Sequence, residues 1–514
     1  MIESMIELFG AARRVSVPIV AIRTADQFAT VRAITEHSGK LPVVQWDAAA
    51  GVTPVNDEGK AELARAGIKA DQTYGFVAAM EAALRLNGRS VICAHNAHRQ
   101  LHSQEPGQVA GNIQAVANLR DRYKLNYRML VLMGPAFTPP PELANDVVTL
   151  DHELPAPEEL ATMIKEVHEE GIRGAKAAGT AVTFKMPDKA ALARAVDAVC
   201  GVPMFTAEQV TAMSLTPAGL DMDALWERKR QAIEQIPGLS VWRGAERFRD
   251  IVGLDAIKAH LANRLEARTP IGVVVWIDEI DKVLANVEAD TSGVRMDQMR
   301  TVLVEMENNE WRGLVGVGVA GGGKSLIAKA FGNEAGVLTV ALDLSGAESK
   351  WVGESESNLR QIMATVRAIG RGHAYVIATS NAASVMRPEL QRRFTDGLWF
   401  FDLLTDAERV ACWAFYMKRY ELPAQPLPDD EGWTGAEIRN CCRYAWDVRS
   451  TILEAARFVV PMARSRADEI ERLRTYAHGR FLDASHPGAY QYTSAPMAAQ
   501  LRAITLAPGP GTLQ

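Results

Sequence analysis

Apolar positions in the first part of the chain gather into short runs at 17–22, 41–46, 90–94, 128–133 and 146–150. Each run is strand length and bounded by polar or turn residues. Helical patterns fill the gaps, as at 75–86. This alternation predicts an α/β domain with a mostly parallel sheet. Residues from about 157 to 235 read as mainly helical, and Pro237-Gly238 opens a second α/β region over about 240–400. Helical segments follow from Thr405 to about Phe481, and the Pro-, Gly-, Ala- and Thr-rich stretch 486–514 reads as a loose tail. Leu359, Ile362, Met363, Val366 and Ile369 form a helical stripe of core type.

A length of 514 residues exceeds what one hydrophobic core holds, so two or more domains are expected. Lys+Arg is 56 against Asp+Glu 62, a net charge of −6, which gives no bulk electrostatic reason to expect nucleic acid. No apolar run approaches the ~20 residues of a membrane helix, so no membrane contact is expected. Glu3, Glu7, Arg13 and Arg14 interrupt any secretory pattern at the start. Cys93, Cys200, Cys412, Cys441 and Cys442 show no CxxC spacing and read as reduced, buried thiols of a cytoplasmic protein.

The chemistry lies in the second half. Gly318-Val-Ala-Gly321-Gly322-Gly323-Lys324-Ser325 fits GxxxxGK[ST], after an apolar strand at 314–317 and before a helix that opens at Leu326. Glycines let backbone N–H groups wrap phosphates, and the helix N-terminus adds favourable partial charge. Lys324 is placed for the β- and γ-phosphates of ATP, and the Ser325 hydroxyl for Mg²⁺. The apolar strand 273–277 ends in Asp278 and Glu279. Beside a phosphate loop, these carboxylates suit holding Mg²⁺ (Asp278) and polarising an attacking water (Glu279). A third apolar strand ends at Asn381, which is placed to orient that water, and which would also suit a simple turn.

Taken together, these residues resemble the AAA family of ATPases over about 248–481. Phe248-Arg-Asp-Ile251-Val252-Gly253-Leu254 looks like the family's entry segment, whose Ile251, Val252 and Gly253 would contact adenine. Ser349-Lys-Trp351-Val-Gly-Glu looks like its pore loop, with Trp351 as the aromatic that grips a threaded polypeptide. Pro388-Glu-Leu-Gln-Arg392-Arg393-Phe394 resembles the arginine-finger stretch, and Gly435-Ala-Glu-Ile-Arg439 the lid segment beside adenine and ribose.

The whole chain most resembles the plastid- and cyanobacteria-type members, also found in phages, which carry a degenerate ATPase-like N-domain. Residues 1–240 contain no GxxxxGK[ST], and Ala94-His95 stands where acids would be expected. The fold this implies is α/β, with two P-loop-NTPase-like three-layer domains, each followed by a helical lid. The expected division is 1–160 degenerate α/β domain, 161–240 lid and linker, 241–402 ATPase domain, 403–485 lid and 486–514 tail.

The resemblance implies ATP hydrolysis by a hexameric ring that remodels or threads a protein. A nucleotide-dependent switch or scaffold with slow turnover is the other reading. The order of modules departs from the family: the acidic strand at 273–313 precedes the phosphate-loop block at 314–372, instead of following it. Exchange of whole strand–helix modules alters connections but need not alter strand positions.

Overall fold

The computed structural model describes residues 4–102, 106–135, 137–179, 185–285, 294–344, 354–382 and 388–492. The chain divides into two compact units, Met1–Ala232 with Ser349–Ala368, and Ile233–Glu348 with Ile369–Gln514.

The first unit is built on six strands: β1 (Ile19–Arg23), β2 (Val43–Asp47), β3 (Gly51–Pro54), β4 (Val91–Ala94), β5 (Met129–Gly134) and β6 (Val148–Asp151). Their order across the sheet is β3-β2-β4-β5-β1-β6. All neighbours are parallel except β3, which runs antiparallel to β2. Successive side chains of a strand point to opposite faces. Accordingly Ile19, Ala21, Ile92, Ala94, Leu130 and Leu132 join one core cluster, and Val20, Ile22, Val91, Cys93, Val131 and Met133 join another. A sheet buried on both faces is the three-layer arrangement expected of parallel strands. The edge strand β3 has no apolar run to mark it, because its four residues, Gly-Val-Thr-Pro, hold a single β-branched apolar side chain between a glycine and a proline.

Helices Pro157–Ala177, Lys189–Val199 and Met204–Met213 follow, with a small hairpin of β7 (Leu215–Thr216) and β8 (Gly219–Leu220). Helix Glu354–Ile369 carries the expected stripe, and Leu359, Ile362, Met363 and Val366 are buried. The helix as far as Ala368 groups with the first unit. There the Cys200 thiol donates to the Ala368 carbonyl at 3.1 Å.

The second unit holds β9 (Leu239–Val241), β10 (Val273–Ile277), β11 (Arg312–Gly318), β12 (Thr339–Leu342), β13 (Ala374–Ser380), β14 (Leu398–Phe401) and β15 (Leu482–Asp483). They are ordered β15-β14-β11-β13-β10-β12-β9, with only β9 antiparallel. Although β10 precedes β11 in the chain, it takes its place between β13 and β12, paired along Val273–Ile277 with Ala374–Ala378. Ile257, Leu261, Ile327 and Phe331 from helices pack with Leu314, Ile377 and Phe401 of the sheet. Helices Asp406–Arg419, Gly435–Val448 and Ile452–Ala456 form a lid around Trp413, Trp433, Cys441 and Cys442.

The tail expected from residue 486 is packed at its start. Tyr490 is 5% exposed, and its hydroxyl donates to Asp402. Arg474 also pairs with Asp402, at 2.8 Å, so lid helix Ala467–Ala477 and this terminal segment meet at the end of β14.

Candidate functional site

The crevice at the carboxyl ends of β10, β11 and β13 is where an open parallel sheet offers a ligand site. β11 delivers the chain into the glycine-rich turn and then into helix Lys324–Ala335. Gly318 has φ +151°, and a Cβ there would lie 2.0 Å from the Phe401 carbonyl oxygen, so the turn closes only with glycine. The helix begins at Gly323, which offers no capping side chain. Its first-turn N–H groups are therefore left for an outside acceptor.

The three motif ends converge. Ser325 Oγ donates to Asp278 Oδ1 at 2.9 Å, and Thr379 Oγ1 donates to the same oxygen. The Glu279 N–H donates to Thr379 Oγ1 at 3.1 Å, and the Asn381 N–H to Asp281 Oδ1 at 3.1 Å. Glu279 sits at φ +51°, a left-handed conformation uncommon for a residue with a side chain, and its carboxylate pairs with Lys282. Lys324 is buried, and its ammonium donates to the Gly318 and Val319 carbonyls at 2.9 and 2.8 Å. Burial lowers its pKa to about 8, against the opposing pull of Asp278, Asp281 and Glu279.

A cavity of about 350 Å³ opens over these groups. It is lined by the expected Ile251, Val252, Asp278, Glu279, Gly321, Gly322, Gly323, Lys324, Ser325, Leu326, Asn381 and Gly435. Gly318 and Gly253 stand outside the lining. Gly253 is left-handed at φ +68°, with the Glu408 carboxylate filling the space a Cβ would need. Arg392 and Arg393 lie on helix Pro388–Arg393, away from the lining, and Arg393 pairs with Glu307. Trp351 falls outside the described residues.

Thr379, Lys329, Leu404, Cys412, Tyr416 and Ala436 also line the cavity. Of these, Thr379 could have been found from sequence, because it lies two residues before Asn381 on the same strand face. Burial pushes the Cys412 thiol up to about 12, which makes it a neutral wall rather than a nucleophile.

The donor set suits Mg²⁺ with a nucleotide. A carboxylate and a hydroxyl 2.9 Å apart are hard oxygen donors. Mg²⁺ at phosphate sites takes few protein ligands and completes its shell with phosphates and water. The cavity thus offers an anion the backbone N–H groups of the turn and the Lys324 ammonium, and sets the Glu279 carboxylate beside them.

Comparison with known proteins fits this geometry. Residues 5–152 match the N-terminal domain of SpoVK-like AAA ATPases, and residues 314–378 match the AAA family, ATPases associated with various cellular activities. The AAA match starts in β11 and ends in β13, so it omits β10, which the sheet nonetheless places beside β13. Two relatives are both described as uncharacterized AAA domain-containing protein ycf46. That of Guillardia theta is 23% identical over 50% of this chain and 56% of its own length. That of Trieres chinensis is 22% identical over 69% of this chain and 75% of its own. The chain thus spans little more than half the length of the first. Among solved structures, the FIGL-1 AAA domain is 17% identical over 48% of this chain and 93% of that one, with a TM-score of 0.29. No described helix is long and apolar enough to cross a membrane.

Proposed function

We propose that this chain, which belongs to the AAA family of P-loop ATPases, binds ATP with Mg²⁺ in its second unit and hydrolyses it, working in the cytoplasm as a hexameric ring that remodels or threads a protein partner. The observation that carries this reading is the meeting of Ser325, Thr379 and Asp278 on one carboxylate oxygen, reached despite the exchanged modules. Lys324 neutralises the β- and γ-phosphates, and Ser325 with Asp278 holds Mg²⁺. Glu279 polarises the attacking water and Asn381 orients it. Ile251, Val252 and the lid residue Gly435 face the base. Arg392 and Arg393 complete the site of a neighbouring subunit, and Trp351 contacts the threaded chain. Native mass spectrometry in ATP, beside steady-state ATPase assays of the wild type and Arg392→Ala with Arg393→Ala, tests the ring. Loss of hydrolysis with retained ATP binding is the expected result, and full activity as a monomer contradicts it.

A second reading, a nucleotide-dependent switch or scaffold with slow turnover, draws support from the Glu279–Lys282 pair, which occupies the carboxylate needed as a base. Lys282→Ala distinguishes the two: a rise in turnover favours the switch, and no change favours the motor.

A further inference from the structure

Helix Lys324–Ala335 carries a second cation into the site. Lys329 lies four residues after Ser325, so it shares Ser325's face of the helix and leans back towards the N-terminus. It lines the cavity, and its ammonium sits 4.1 Å from the ring centroid of Trp242 and 4.6 Å from that of Trp276. Among the described residues it makes no salt bridge. The indole faces hold the charge without neutralising it. Trp276 presents its face to the ammonium, while its buried indole N–H has no acceptor among the described residues. Packing against the core around Val274 and Phe331 holds the ring, with one face left to the ammonium. Trp276 stands two residues before Asp278 on the same side of β10, and the strand rise puts Asp278 about 7 Å further along.

We infer that Lys329 is a positioning residue that sets the charge balance of the metal end of the site, acting through Asp278 and the polyphosphate. This rests on the nucleotide reading above. A fixed positive charge beneath a two-part ligand acts on the parts with opposite sign. It attracts the polyphosphate anion and repels Mg²⁺. A residue that merely braced Trp242 against Trp276 would shift both affinities together, or neither.

The test measures ATP binding to the full chain by calorimetry in EDTA, then Mg²⁺ binding to the ATP complex, in the wild type, Lys329→Met, Lys329→Arg and Trp276→Phe. Near-ultraviolet circular dichroism checks that the fold is kept. Lys329→Met should weaken metal-free ATP about fivefold and tighten Mg²⁺ by a similar factor at low ionic strength. Lys329→Arg and Trp276→Phe, which keep the charge and a ring face, should stay within about twofold on both. Same-sign changes, or none, in Lys329→Met with wild-type ATP binding intact would overturn the inference. No ATP binding by the wild type overturns the nucleotide reading and this inference with it.

Discussion

The two sheets occupy the same spatial plan by different routes along the chain. From the antiparallel edge inward, the first runs β3-β2-β4-β5-β1-β6, and the second β9-β12-β10-β13-β11-β14, with β15 added outside. β10 holds the place of β4, although β4 follows β1 and β2 in the chain while β10 comes before β11 and β12. Strand position is thus set by edge pairing and two-sided burial, which the connection order did not override. The two strands even end alike, with a left-handed residue at φ +51° in each, Asn96 after β4 and Glu279 after β10.

What differs is the chemistry at the strand ends. After β4, His95 contacts Gln45 at 3.1 Å, and Asn96 and Gln27 exchange two hydrogen bonds of 2.8 Å, so polar groups satisfy one another. After β10, Asp278 gathers two hydroxyls under an open cavity. Each unit also buries a lysine. Lys229 in the first donates to the Asp197 carbonyl and stacks on Trp226, whereas Lys324 in the second faces three carboxylates and the cavity. Burial lowers both to about 8. The same scaffold and the same desolvation produce a cation tied to the backbone in one place and a cavity-lining one in the other.

The sharpest contrast comes from replacing each lysine by methionine. Lys324→Met should weaken ATP binding by about a hundredfold, the order expected on removing a buried phosphate-facing charge. Wild-type affinity should fall as pH rises through about 8, where the ammonium loses its proton. Calorimetry at pH 7 and pH 9 checks both, and an affinity flat across that range would break the assignment. Thr379→Val, which removes a bond to Asp278, should slow hydrolysis by about tenfold in a steady-state assay. Lys229→Met should leave ATP binding alone and stabilise the protein by about 1–3 kcal/mol at pH 7. The sign follows from linkage. The folded pKa is depressed, so the unfolded chain binds more protons between about 8 and the ordinary lysine value, and wild-type stability rises with pH across that window. The methionine variant's advantage should shrink there, as thermal melts at pH 7 and pH 10 would show. The smallest effect belongs to His95→Ala, which should leave both ATP binding and hydrolysis within about twofold, and a large loss would mean that the first unit takes part in nucleotide chemistry.

Much of this was legible in the chain because strand runs and the phosphate loop are short-range patterns. The runs at 90–94 and 128–133 became β4 and β5 with ends shifted by one residue. Ser325, Asp278 and Asn381, singled out by their local settings, line one cavity. What escaped depends on distant pairing. Helix Glu354–Ile369 has an unmistakable apolar stripe, but the stripe does not say which body it packs against. Cys412 and Tyr416 reach the cavity from the lid helix Asp406–Arg419, far along the chain, and their local pattern is only that of a core stripe. Tyr490 sits in a stretch whose composition reads as loose, yet the Asp402 carboxylate at the end of β14 holds it.

The claim that these exchanged modules form a working site is tested most directly by steady-state ATP hydrolysis of the wild type beside Glu279→Gln, with ATP affinity measured on both. Hydrolysis in the wild type that falls by at least about a hundredfold in the variant, with affinity unchanged, is the expected result. Equal rates in the two proteins, or tight binding with no hydrolysis in either, would contradict it.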